Sequence, residues 1–177
     1  MEVTSDFQLF KPKTLNYTKE QIWKFLAEIP DPEIPVITIE ELGVLRDVEI
    51  QSKKVVITIT PTYTGCPAMK LFEDEIIIAL KNKGIENVEL KMVYSPAWTT
   101  DWMTDKAKEK LTAYGIAPPI SGTQDKGVLF SSGSKKVICP RCKSQNTTLK
   151  SQFGSTACKA LYVCNDCLEP FDYFKCI

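Results

Sequence analysis

Val55-Val56-Ile57-Thr58-Ile59-Thr60-Pro61-Thr62-Tyr63-Thr64-Gly65-Cys66-Pro67, residues 55–67, decides how the larger part of this chain folds. Val55, Ile57 and Ile59 recur at every second position, the period of a strand with one face buried. After Pro61 a loop runs to Cys66, and then Met69, Phe72, Ile76, Ala79 and Leu80 recur at helical spacing until Gly84 closes the helix. A helix placed after a strand serves as a crossover, so the next strand should lie parallel to the first. Val88, Leu90 and Met92, alternating with Glu89 and Lys91, supply that strand.

Upstream, Val48 and Ile50 alternate with Asp47 and Glu49, and Gln51-Ser52-Lys53 separates them from Val55, which predicts an antiparallel hairpin. Thr18 and Gln21 have capping-box spacing, and Ile22, Trp23, Leu26 and Ile29 share one helical face before Pro30, which predicts a helix over 18–29. Downstream, the Ser95 to Asp101 loop leads into a helix bearing Met103, Ala107, Leu111 and Tyr114, ended by Gly115. The predicted class is α+β, a small mixed sheet with the order helix, strand, strand, helix, strand, helix.

Cys139-Pro140-Arg141-Cys142 and Cys164-Asn165-Asp166-Cys167 are two C-x2-C pairs with 21 residues between them. Two residues between cysteines let a tight turn aim both thiolates at one metal, and a second such turn completes a tetrahedral sulfur shell. This predicts a C-terminal zinc ribbon whose zinc is structural. Cys158 and Cys176 bracket the second pair, so either is open as an additional thiol ligand, as a transient iron–sulfur ligand, or as packing around the ribbon. The expected organisation is an N-terminal arm over 1–17, an α+β domain over 18–116, a Pro-, Gly- and Ser-rich linker over 117–136 and the ribbon over 137–177.

The chain has 177 residues, 22 basic and 22 acidic side chains, and 7 cysteines, enough for one ordinary core and a small metal-stapled appendage. Charge neutrality argues against nucleic acid or an anionic membrane as a partner. No continuous apolar run marks a signal or membrane span, so reduced thiols and a cytoplasmic address are expected. There is no histidine, which removes Ser-His-Asp and Cys-His catalysis and histidine-ligated zinc hydrolysis.

If the second and third strands are parallel, their C-terminal ends lie on one edge of the sheet, and the segment entering the first strand approaches that same edge. Three loops should therefore meet: Asp31-Pro32-Glu33-Ile34-Pro35, the Cys66 loop, and Ser95 to Asp101. Cys66 precedes Pro67, which suits the first position of a helix, so its sulfur should sit near the positive end of a helix dipole. Asp31 and Glu33 are candidate hard oxygen ligands held by prolines, or a solvated acidic turn. Thr99, Thr100 and Asp101 form a hydroxyl-rich turn that either serves the patch or caps the next helix.

Together these three loops resemble the family of SufT-like proteins and the eukaryotic cytosolic iron-sulfur targeting factor, over most of residues 18 to 115. Adding Gly154-Ser155-Thr156-Ala157-Cys158-Lys159-Ala160 and the stretch from Cys164 to Cys176, the whole chain resembles the PaaD-like family of the phenylacetyl-CoA epoxidase (phenylacetate degradation) system. That resemblance implies a non-catalytic assembly or maturation factor beside a di-iron oxygenase and an iron–sulfur reductase. It implies Cys66 as the reactive cysteine and Asp31 and Glu33 as the acidic motif, with the Thr99 to Asp101 turn assisting transient binding of iron or an iron–sulfur cluster. A stoichiometric scaffold subunit of the epoxidase is the alternative, and a homo-oligomer is compatible with either.

Overall fold

The computed structural model describes residues 17–52, 54–120 and 137–175. Apart from Tyr17 and residues 117–120, the expected arm and linker lie outside the described residues, as does Cys176. Helix α1 spans Lys19–Ala27. Thr18 Oγ1 accepts the Gln21 N–H at 3.3 Å while Gln21 Oε1 accepts the Thr18 N–H at 2.9 Å, the reciprocal capping box. The helix stops two residues before the predicted Ile29. Pro30 disfavours helical backbone in the residue before it, and the Ile29 N–H closes a tight last turn onto the Leu26 carbonyl instead.

Strands β1 (Leu45–Gln51), β2 (Lys54–Ile59) and β3 (Val88–Met92) form one sheet in the order β1-β2-β3. The first pair is antiparallel, with Val48 opposite Ile57, and the second is parallel, with Ile57 beside Leu90. Helix α2 (Ala68–Asn82) makes the crossover. Val48, Val55, Ile57 and Ile59 meet Ile22, Leu26, Phe72, Ile76 and Leu80 in the core, all 0–2 % exposed. Each such side chain stabilises the fold by about 1.5–3 kcal/mol through removal of apolar surface from water. Residues 34–44 also enter this core through Ile34, Ile37, Ile39, Leu42 and Val44. Their backbone turns on the Ile39 carbonyl, which accepts the N–H groups of Val44 and Leu45. The apolar run there has neither a strand nor a helix period, so its burial is not announced by pattern.

A 3-10 turn (Thr100–Trp102) precedes α3 (Asp105–Tyr114), which is capped by Thr104 at one end and by Gly115, at φ +94°, at the other. The predicted order of elements over this part of the chain is the one observed.

A second sheet holds β4 (Thr147–Ser151), β5 (Lys159–Cys164) and β6 (Pro170–Phe174), antiparallel in the order β4-β5-β6. Ala117, expected to open a linker, lies along β6: its N–H donates to the Asp172 carbonyl at 2.8 Å and its carbonyl accepts the Phe174 N–H at 2.9 Å. Val137 and Ala117 are both buried in the ribbon's own small core with Tyr162, Phe171 and Tyr173. The ribbon is joined to the larger core at one end. Cys158 and Phe174 are buried in that core, and the Phe174 ring meets Trp98 edge-on at 6.1 Å between centroids. Among the described residues, no helix is long and apolar enough to cross a membrane.

Candidate metal centre and thiol site

The four thiols of Cys139, Cys142, Cys164 and Cys167 lie within 4.8 Å of one another. Cys139 and Cys167 are 3.8 Å apart at sulfur, and Cys142 and Cys164 are 3.5 Å apart. A tetrahedron with zinc–sulfur bonds of ~2.3 Å has sulfur–sulfur edges of ~3.8 Å, so the cage fits a zinc ion. The turns that present these thiols are tied together: the Lys143 N–H donates to the Cys139 carbonyl, and Asn146 and Ser144 both bond to the Asp166 carboxylate. The backbone N–H of Cys167, followed by that of Asp166, pulls the Cys164 thiol down to about 7, which favours the thiolate form that ligates metal. Among the described residues, these four are the one set of three or more thiols and carboxylates close enough to share an ion.

Cys158 is not part of that cage. It immediately precedes β5, whose far end carries Cys164. Six residues of extended strand put ~20 Å between them. The ribbon is therefore a short rod with zinc ligands at one end and Cys158 with Phe174 at the other.

Cys66 lies half-buried against the larger core, at the end of the loop that follows β2. Gly65, at φ +83°, supplies the left-handed conformation that reverses the chain before it. The Cys66 N–H donates to the Tyr63 carbonyl at 3.2 Å, and its own carbonyl accepts the Met69 N–H at 3.2 Å. Pro67 is the cap of α2 rather than its first residue, and no side chain caps this helix end. The sulfur is thus held at a helix N-terminus that no side chain satisfies.

Asp31 is 7 % exposed, and its Oδ1 accepts the N–H groups of Glu33 at 2.8 Å and Ile34 at 2.7 Å. Burial lifts this carboxyl above the usual carboxylate range, although both N–H groups pull it down. Its first duty is therefore to shape the turn that presents Glu33. Glu33 Oε2 in turn accepts from Cys158 Sγ at 3.9 Å. Tyr63 sits among the thiols and Glu33: its phenol is pushed up to about 12 by burial and by the charges of Cys66, Cys158 and Glu33. The Asp31–Pro35 loop and the Cys66 loop meet here, and Cys158 of the ribbon joins them.

The third loop arrives differently from expectation. Tyr94, Ala97 and Trp98 line a cleft of about 220 Å³ with Thr60 to Thr64. Trp98 is buried, with its Nε1–H donating to the Leu42 carbonyl at 3.0 Å. Thr99 Oγ1 accepts the Asp101 N–H at 2.9 Å and so caps the 3-10 turn, while Thr100 is buried. The Thr99 hydroxyl bond is thus a local one, and the Thr100 carbonyl accepts the Met103 N–H at 3.3 Å. Cys66, Asp31 and Glu33 can be named from the sequence, but Tyr63 cannot, and the sequence places Cys158 with the ribbon. Tyr63 offers no signal beyond being an aromatic three residues before Cys66. The proximity of Cys158, 125 residues from Glu33, depends on docking that no local pattern encodes.

Residues 123–175 match the family model of the PaaD zinc beta ribbon domain, and residues 19–93 match that of the iron-sulfur cluster assembly protein. The chain is 50% identical over 157 residues to an Escherichia coli K12 protein named as one subunit of a "Putative 1,2-phenylacetyl-CoA epoxidase", covering 89% of this chain and 92% of that one. This chain belongs to the PaaD family. The PaaD-family chain is also 30% identical over 96 residues to a Porphyromonas gingivalis W83 protein named "Fe-S protein maturation auxiliary factor", covering 53% of this chain and 90% of that one. A solved structure of the domain of unknown function DUF59 from Bacillus anthracis is 28% identical, with a TM-score of 0.49, covering 52% of this chain and 90% of that one. The PaaD ribbon match and the four-cysteine cage together support a structural metal at Cys139, Cys142, Cys164 and Cys167.

Proposed function

We propose that this PaaD-family chain is a non-catalytic maturation factor that delivers iron or an iron–sulfur unit to a component of a phenylacetyl-CoA epoxidase in aerobic phenylacetate degradation. The relatives named as an epoxidase subunit and as an iron–sulfur maturation factor each support one half of this reading. The observation that carries it is the placement of Cys66, a half-buried thiol at an uncapped helix end beside Tyr63, on the loop that meets the Glu33 turn. A thiolate there is a soft ligand of the kind that iron and its clusters take. A partly open position with few fixed donors suits a cargo that must leave again, whereas the closed four-thiol cage does not. Asp31 shapes the turn, Glu33 offers a carboxylate, and the Thr99 to Asp101 turn steadies the Trp98 wall of the neighbouring cleft. With no histidine in the chain, substrate turnover by a histidine base is not part of the reading.

The test is the iron and sulfide content of the epoxidase's oxygenase and reductase components when matured beside Cys66→Ala. The expected result is an intact fold with one zinc per chain and a client that is largely cofactor-deficient. A normal cofactor load would remove the delivery role.

The scaffold reading keeps one observation in its favour. Leu71 and Ile78, seven residues apart on one face of α2, are 53 % and 50 % exposed, as a face held for a protein contact would be. Copurification in fixed ratio with active oxygenase supports the scaffold, and association only with cofactor-free client supports maturation.

A further inference from the structure

The sheet of the larger domain ends on an open edge. The Val55 N–H donates to the Asn87 carbonyl and the Val93 N–H to the Ile59 carbonyl, both at 2.9 Å. In a parallel pair the N–H and C=O of one residue point the same way, so Glu89 and Lys91 also turn their backbone groups toward β2. Those of Val88, Leu90 and Met92 point outward, and among the described residues no strand pairs with them. The three side chains are half-buried against the larger core, whereas Glu89 and Lys91 stand exposed on the opposite face. Glu89 pairs with Lys54, and Lys91 has no acidic partner among the described residues. β3 then runs on toward the cleft lined by Tyr94, Ala97 and Trp98. Thr60, on the wall of that cleft, is 2 % exposed, and its hydroxyl has no hydrogen-bond partner among the described residues. Tyr94 donates its phenol O–H to the Met92 sulfur at 2.7 Å, a weak acceptor that a carbonyl can displace.

We propose that the outward edge of β3 and the cleft beyond it receive one extended segment of the client protein, which adds to the sheet as a further strand and ends among the Thr60 to Thr64 hydroxyls. This rests on the maturation reading and names how the client is held. The edge dictates the chemistry of that segment. Apolar residues must alternate, to continue the half-buried row of Val88, Leu90 and Met92, and an acidic residue on the other face answers the exposed charge of Lys91. The residue that enters the cleft is uncharged, because no charged side chain lines the cleft, and its carbonyl or hydroxyl gives Thr60 the partner it lacks. Tyr63 belongs to this cleft and its carbonyl holds the Cys66 N–H, so a segment seated there lies beside the Cys66 loop. Main-chain pairing supplies the affinity and the alternation supplies the selectivity.

The test is residue-resolved hydrogen exchange on the full-length wild-type chain, alone and with the purified cofactor-free oxygenase or reductase component. Alone, the amides of Val88, Leu90 and Met92 are expected to exchange fast and those of Glu89 and Lys91 slowly. With the client, the three fast amides should slow together with those of the Thr60 to Thr64 loop. Two variants add a readout on affinity. Leu90→Pro removes an outward N–H that the sheet does not use and should weaken client binding about tenfold, and Lys91→Glu should weaken it about fivefold, both with unchanged circular dichroism. Slow exchange of the three amides in the free chain means that the edge is already occupied and overturns the proposal. Protection confined to α2 around Leu71 and Ile78 overturns it while leaving maturation intact. Failure of both components to bind also overturns it, and the cofactor load of the client beside Cys66→Ala decides the delivery role separately.

Discussion

Asp31 shows how one residue's chemistry divides between structure and charge. Its Oδ1 satisfies two N–H groups of the turn, yet its buried carboxyl is lifted above the ordinary range. Between the unfolded value near 3.8 and the raised folded value, the native state holds a proton that the unfolded chain has lost. Its contribution to stability is therefore full below that window and falls as pH rises through it. Asp31→Asn keeps the accepting oxygen and removes the titration, so its denaturation midpoint at neutral pH should equal or exceed wild type, and the fall should be missing. Asp31→Ala strands both N–H groups and should cost about 2 kcal/mol or more in urea unfolding. The acidic pair is legible as a pair from the sequence. Their different surroundings, with Asp31 bonded inside the turn and Glu33 beside Cys158, depend on which carboxylate faces inward, and prolines alone do not set that.

At the scale of elements, periodicity carries most of the information. Strands β1 to β3 and helices α1 to α3 bury one face each, so the spacing of Val55, Ile57, Phe72 and Ile76 reports the packing directly. The turn before β1 buries its apolar residues without a period, and it owes its form to Gly43 at φ +75°. A Cβ on Gly43 would meet both the Cβ and the carbonyl oxygen of Trp102 at 2.8 Å, and the oxygen belongs to backbone that cannot swing aside. Gly43→Ala should therefore lower stability by about 2 kcal/mol or more, from strain and from displacement of the 3-10 turn. Loss of chemical denaturation midpoint with a changed Trp environment would show it. Thr99 and Thr100 are legible in the sequence as a hydroxyl-rich turn with two open roles, and the backbone shows Thr99 capping the 3-10 turn. Which of the two roles a hydroxyl takes is decided by the backbone around it.

For the whole molecule, the ribbon's sheet links the four-cysteine cage to the core of the larger domain. The metal cage holds the sheet whose opposite end presents Cys158 and Phe174 to the larger core. Small zinc domains owe their folding to the ion. Chelation should therefore undock the ribbon while the α1 to α3 domain stays folded. The expected readout is a red-shifted tryptophan emission as Trp98 loses Phe174, reversed by adding zinc. Helical circular dichroism should be nearly unchanged, whereas a collapse of both signals together would mean that the two cores are one cooperative unit.

Ala117, read from the sequence as the start of a linker, is already seated in the ribbon's core by its pairing with β6. The span that joins the two bodies is instead the single step from Ile116, in the larger core, to Ala117, in the smaller one. Two Gly residues placed between Ile116 and Ala117 should slacken the docking of Phe174 against Trp98 and red-shift the tryptophan emission.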